Sequence, residues 1–189
     1  MALPGMIAIA GLLGWVAFEV LLRRRDDTET ASWQASAGDR NSTRVLLAAY
    51  AATVATNVGA PLLPFGHVGT AWRWVGVAMV AAGLALRAWG MATLGRSYTR
   101  TLRTASDQRL VADGPYQLIR HPGYGGSLLV WIGYSLGLGS VVAVALTAVL
   151  LLGAYSWRIS AEERLLAGAF GDQYTEYARR TKRLVPFLY

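Results

Sequence analysis

Asp113-Gly114-Pro115-Tyr116-Gln117-Leu118-Ile119-Arg120-His121-Pro122-Gly123-Tyr124 is a polar, aromatic, turn-rich stretch set between two strongly apolar regions. The Gly114-Pro115 pair and the second proline after His121 exclude a regular helix through it. Irregular backbone beside a bilayer survives only where protein or a water-filled cavity satisfies its N–H and C=O groups. The stretch is therefore expected to shape a cavity at a membrane face. The plainer alternative is a cytoplasmic loop with a proline opening the next helix.

The flanking sequence carries the membrane reading. Of 189 residues, 54% are hydrophobic and only 15% charged, with a mean hydropathy of +0.35. A soluble domain is nearer a quarter charged. Downstream, residues 124–139 and 140–157 are two short apolar arms that predict a helical hairpin turning near Gly137-Leu138-Gly139, its glycines letting the arms pack closely. Upstream, residues 71–94 read as a span with Trp72 and Trp74 as interfacial aromatics. Arg87 within it either snorkels or faces a polar cavity. Residues 44–65 form another span, and 65–70 a tight external turn in which His67 is structural or solvated. Residues 4–22 form the first span, ending at Arg23-Arg24-Arg25. Its Glu19 is expected to snorkel. Residues 26–43 read as a polar linker, and 95–123 as a basic, then polar, cytoplasmic connection. The tail from Arg158 reads as an amphipathic helix leaving the membrane.

These elements add up to an all-α integral membrane protein of about five transmembrane helices, the last two a hairpin. Of the 18 Lys and Arg residues, 16 fall at 23–44, 96–120 and 158–183. That bias puts the C-terminus in the cytoplasm and, with five spans, the N-terminus outside. The net charge of +7 is then explained by orientation and anionic lipid, not by nucleic acid. There is no cysteine, and His67 and His121 lie far apart, so no metal site is expected.

Two polar clusters meet the cytoplasmic boundary of the hairpin: Arg120, His121 and Tyr124, and Arg158, Glu162 and Glu163. Arg158 and Glu162 are four apart and share a helix face, where a simple internal ion pair is one reading. In the other, a carboxylate holds an ammonium group, Arg158 holds a carboxylate or carbonyl oxygen, and Tyr116 and Tyr124 flank a flat ring. A zwitterionic small molecule with an aromatic base fits that set.

Arg120-His121-Pro122-Gly123-Tyr124-Gly125-Gly126, followed by Glu162-Glu163-Arg164-Leu165-Leu166 and by Phe170-Gly171-Asp172-Gln173-Tyr174-Thr175-Glu176-Tyr177, resembles the isoprenylcysteine carboxyl methyltransferase family. These are integral membrane enzymes that use S-adenosylmethionine; the phospholipid N-methyltransferases share the general pattern. The resemblance covers about residues 75–189 and implies one membrane domain over 1–189, with two spans and a linker in 1–70 and the methyltransferase core in 71–189. It implies a cytoplasmic pocket for S-adenosylmethionine, formed by the 95–124 connection and the C-terminal helix. By the same resemblance, Arg103, Gln108, Arg109, Leu110, Val111, Tyr116, His121, Pro122, Gly123, Tyr124 and Glu162 contact the cofactor. Arg158 orients the methyl acceptor, and Arg158 and Glu162 are the catalytic pair. The implied acceptor is a lipophilic carboxylate, a small molecule or a prenylated chain, reached from the bilayer. The alternatives are N-methylation of an amine-bearing lipid and a non-catalytic transporter or scaffold.

Overall fold

The computed structural model describes residues 2–26, 37–94 and 110–185. Six helices account for nearly all of it: α1 (Leu3–Asp26), α2 (Ala37–Gly59), α3 (Thr70–Leu94), α4 (Pro122–Leu138), α5 (Val141–Phe170) and α6 (Asp172–Arg180). The sequence makes each boundary intelligible. Pro122 sits at the first position of α4, where its missing N–H costs nothing. Gly139 closes α4 in the left-handed conformation at φ 92°, open to glycine at no steric cost. Ser140 caps α5, its side chain accepting from the Ala143 amide at 3.2 Å. The Arg73 guanidinium donates to the Leu138 carbonyl at 2.6 Å, satisfying a C-terminal carbonyl of α4. Residues 66–68 complete this end of the bundle. Val68 donates to the Gly139 carbonyl and Val141 to that of Gly66, and the His67 ring bonds the Leu63 carbonyl at 2.8 Å.

Among the described residues, three helical segments are long and apolar enough to cross a membrane: Asn41–Leu62, Thr70–Leu94 and Val141–Phe170. The apolar part of α1, Leu3–Glu19, is shorter, and α4 has 17 residues. Two boundaries differ from those expected. Helix α2 begins at Ala37, inside the run read as a linker, because polar residues extend the helix beyond its apolar part. Helix α5 runs unbroken through Arg158 to Phe170, and the chain turns only at Gly171, at φ 53°. Its 30 residues rise about 45 Å against a hydrocarbon core of about 30 Å, so its last turns project beyond the membrane.

The closest packing is between α3 and α4. Gly76, Gly83 and Gly90 of α3 are buried at intervals of seven; the first two face glycines of α4, and Gly90 faces Pro122. A Cβ built on Gly83 would lie 2.5 Å from the Gly126 carbonyl oxygen; one on Gly133 would lie 2.6 Å from that of Gly76. Gly126 and Gly133 of α4 therefore serve its contact with α3, and Gly137 meets Ala8 of α1, in place of the hairpin contact with α5 expected from sequence. The hairpin is joined instead by polar and aromatic side chains. The Ser135 and Thr147 hydroxyls are 3.0 Å apart, and Asn57 of α2 donates to Thr147 at 3.2 Å. Trp15, Tyr50, Trp131 and Tyr155 form an aromatic core across α1, α2, α4 and α5, with the two tyrosine hydroxyls 2.9 Å apart.

Glu19 does not snorkel. It forms an ion pair with Arg87, whose side chain is 10% exposed against 17% for Glu19. Arg87 also donates to the Gly123 carbonyl at 2.9 Å and to Ser127 at 2.8 Å, and its guanidinium lies 5.8 Å from the Trp15 ring centroid. One buried guanidinium thus ties α1 and α3 to the first turn of α4.

Four substitutions test this packing by thermal unfolding of detergent-purified protein. Gly83→Val is expected to destabilise by about 1–3 kcal/mol or more, since its side chain meets backbone. Gly153→Ala, where a Cβ meets nothing within 4 Å, should be neutral or stabilising by about 0.5–1 kcal/mol. Breaking the buried pair with Glu19→Gln should cost about 3–5 kcal/mol by leaving Arg87 poorly compensated. Glu176→Gln, which loses only an exposed partner of Arg179 and Arg180, should leave the melting curve unchanged.

Candidate functional site

The end of the bundle that carries Arg87 gathers most of the residues singled out by sequence. The polar stretch docks there first. Gly114, at φ 57°, approaches α3 so closely that a Cβ would lie 2.7 Å from Thr93 Oγ1 and 3.3 Å from Trp89 Nε1. It opens a single 3-10 turn, Gly114–Gln117, carrying Tyr116. Leu110 and Val111, just upstream, are half-buried. The Tyr177 hydroxyl of α6 donates to the Tyr116 carbonyl at 2.8 Å. Burial pushes the Tyr177 phenol up to about 12, so it keeps its proton, and this bond, across the neutral range.

Ile119 then pairs in parallel with Lys182 beyond α6. Lys182 donates to Leu118, Arg120 to Lys182 and His121 to Arg183, all through backbone at 2.7–3.1 Å. This short pairing holds the residues before α4 at a fixed height beside α5. Arg120 secures it, donating to Glu163 Oε1 at 2.8 Å, to the Ala178 carbonyl at 2.9 Å and to the Thr181 carbonyl.

The two polar clusters meet. His121 is 5% exposed; its Nε2 lies 3.4 Å from Glu163 Oε1 and its Nδ1 lies 4.0 Å from Glu162 Oε2. The Tyr124 hydroxyl accepts from Arg158 Nε at 3.3 Å and donates to Glu162 Oε2 at 3.0 Å. It therefore bridges the arginine and the carboxylate that share a face of α5. Arg158, 6% exposed, donates from Nη1 to Ser42 Oγ at 2.8 Å and to Thr43 Oγ1 at 3.3 Å. Adjacent carboxylates have unlike surroundings. Glu163 is 13% exposed and receives Arg120, His121 and Arg183, the last at 2.9 and 2.7 Å. Glu162 is 30% exposed and takes the Tyr124 hydroxyl.

Of the expected cofactor contacts, Gly123 and Tyr124 are half-buried at the mouth of this constellation, whereas His121 and Pro122 are buried behind it. Arg103, Gln108 and Arg109 lie outside the described residues, as does all of the 95–109 connection. Sequence reasoning missed Ser42, Thr43 and Arg183. The first two sit in what reads as a linker, and the third in a tail with no periodic signal. Among the described residues, no group of three His, Cys, Asp or Glu residues could hold a metal ion.

The model of the isoprenylcysteine carboxyl methyltransferase (ICMT) family matches residues 74–168, half of the chain. Protein-S-isoprenylcysteine O-methyltransferase B of Arabidopsis thaliana is 36% identical over 115 residues, covering 60% of this chain and 58% of that protein. Cobalt-zinc-cadmium resistance protein CzcN of Cupriavidus metallidurans is 39% identical over 140 residues, covering 71% of this chain and 61% of that protein. The chain thus spans about three-fifths of the length of these relatives. A solved structure of the eukaryotic intramembrane Ras methyltransferase ICMT, without a monobody, superposes with a TM-score of 0.60 at 22% identity. It covers 86% of this chain and 56% of that one, and at this identity the likeness establishes a shared fold. On the matched family model, and with His121, Tyr124, Arg158 and Glu162 converging at one end of a shared helical fold, this chain belongs to the isoprenylcysteine carboxyl methyltransferase family.

Proposed function

We propose that this protein is a membrane methyltransferase that moves a methyl group from S-adenosylmethionine to the carboxylate of a lipophilic, isoprenylcysteine-like acceptor. The observation that carries the reading is the Tyr124 hydroxyl joined to both Arg158 and Glu162. It sets an anion-binding group and a cation-binding group side by side at the end of the bundle.

The residues fit the cofactor. An amino-acid ammonium needs an accessible carboxylate, and Glu162 is the more exposed of the two at this site. Glu162 would hold the ammonium, with Gly123, Tyr124 and Tyr116 around it. His121 keeps Glu162 and Glu163 apart and in register. S-adenosylmethionine, when bound, supplies an electrophilic methyl on a sulfonium. An acceptor carboxylate is already ionised at neutral pH and needs no general base. What this chain supplies is position and exclusion of water. Arg158, steadied by Ser42 and Thr43, fixes an acceptor oxygen, and the aromatic core beneath keeps the floor dry. An amine acceptor would require a base; His121 is buried between two carboxylates, which favours the carboxylate.

In this reading α1 and α4 complete five crossings, and the basic end of the bundle faces the cytoplasm, from which the water-soluble cofactor enters. The acceptor arrives laterally from the bilayer.

The test is incubation of purified protein with methyl-labelled S-adenosylmethionine and a small isoprenylated cysteine bearing a free carboxylate. Base-labile label in the organic phase is expected; base-stable label, or none, overturns the reading. Arg158→Ala should lower turnover by about 100-fold or more while donor affinity, measured by calorimetry, stays within about threefold. Glu162→Gln should weaken donor binding by about 10–100-fold.

A further inference from the structure

A second site lies around the other side of α5. Adjacent residues on a helix point about 100° apart, so Glu163, which shares His121 with Glu162, also reaches the next face of α5. It lines an open groove of about 590 Å³ between the C-terminal half of α5 and α6. Ser160, Glu163 and Arg164 form its α5 wall; Tyr174 and Arg179 of α6, with Arg183, form the other.

Three guanidiniums border the groove against one carboxylate, and that carboxylate is already engaged. Glu163 Oε1 takes Arg120 and His121, and Oε2 takes Arg183. Arg164 has no ion pair among the described residues, and Arg179 shares the exposed Glu176 with Arg180. The groove is thus net positive. Tyr174 gives a second, independent indication. It is 4% exposed, and its hydroxyl has no hydrogen-bond partner among the described residues. A buried donor left unmet is costly, and burial raises its pKa, so it keeps the proton it would donate.

The groove's height relative to the membrane identifies the source of an anion. Trp157, 57% exposed, stands one turn before Ser160 on α5, and Trp89, 53% exposed, lies near the C-terminal end of α3. Exposed tryptophans mark the bilayer interface. Past that level, helix α5 carries the groove into the layer of lipid head groups, where basic side chains recognise anionic phosphate esters.

We propose that the α5–α6 groove binds a phosphate-bearing anion, presented by the head group of an anionic phospholipid, with Arg164, Arg179 and the Tyr174 hydroxyl as its ligands. The site stands whether or not the chain transfers methyl groups.

The full chain, purified in detergent, is titrated with fluorescent phosphatidylglycerol and phosphatidylcholine, and separately with inorganic phosphate as competitor. The parent should prefer phosphatidylglycerol by about tenfold, and Arg164→Gln with Arg179→Gln should erase that preference. Tyr174→Phe, which removes a donor and no charge, should weaken phosphatidylglycerol several-fold at unchanged helical content. Competition by millimolar phosphate would support the site with a soluble anion as its source; its absence supports the lipid. Equal affinity of parent and double variant, or no preference in the parent, overturns the site. So does a Tyr174→Phe variant with parental affinity, which would reduce the groove to a diffuse basic surface.

Discussion

The near-contact of the α3 and α4 backbones is the constraint on which the rest depends. In a bilayer, helices gain nothing from hiding apolar surface from water, so association rests on packing and on polar contacts. Glycines at intervals of seven on α3 supply the packing. Because the two axes are so close, the Arg87 side chain reaches the first turn of α4 and donates to the Gly123 carbonyl. The residues that open α4 are His121, Pro122, Gly123 and Tyr124. Their placement follows from a contact made between helices, with α1 adding the carboxylate that pairs with Arg87.

Two adjacent glutamates on α5 divide the labour around this scaffold. Glu163 is surrounded by three donors from two segments distant in sequence, Arg120 with His121 and Arg183. It behaves as a knot that draws the polar stretch and the residues after α6 onto α5. Glu162, one position on, is left more open. The open acceptors of Glu162 are the ones the proposed donor site would use. The helical step separates them in angle while keeping them at one height along α5.

Much of this was legible in the sequence, and what was not has a physical cause. The turn-rich stretch, the hairpin near Gly139 and the residue types at 120–124 and 158–163 can all be read locally, because turn chemistry and helical spacing act over a few positions. The Glu19–Arg87 pair could not be, since its members are 68 apart and each alone resembles a snorkelling charge. The glycines of α4 announced close packing without saying against what, and the hairpin partner was the wrong choice. Ser42 and Thr43 were hidden because hydropathy ends a span where apolar residues end, whereas α2 continues through polar ones. The unbroken course of α5 was obscured for the same reason.

The length of α5 explains why one helix can serve two surroundings. Its first half carries Thr147, Leu151 and Tyr155 into the buried core, and its last turns outrun the hydrocarbon layer. Arg158 falls where these regimes meet. Deeper in the bilayer, its charge would demand burial among fixed partners; farther out, water would screen it. At the boundary it is held by Tyr124, Ser42 and Thr43 from two neighbouring helices. In the proposed reaction it would meet an anion whose tail remains in lipid, while a water-soluble donor approaches Glu162. A shorter α5 would remove the second surface, and a break at Arg158 would lose the register between them, so the proposed site depends on the continuity of this helix.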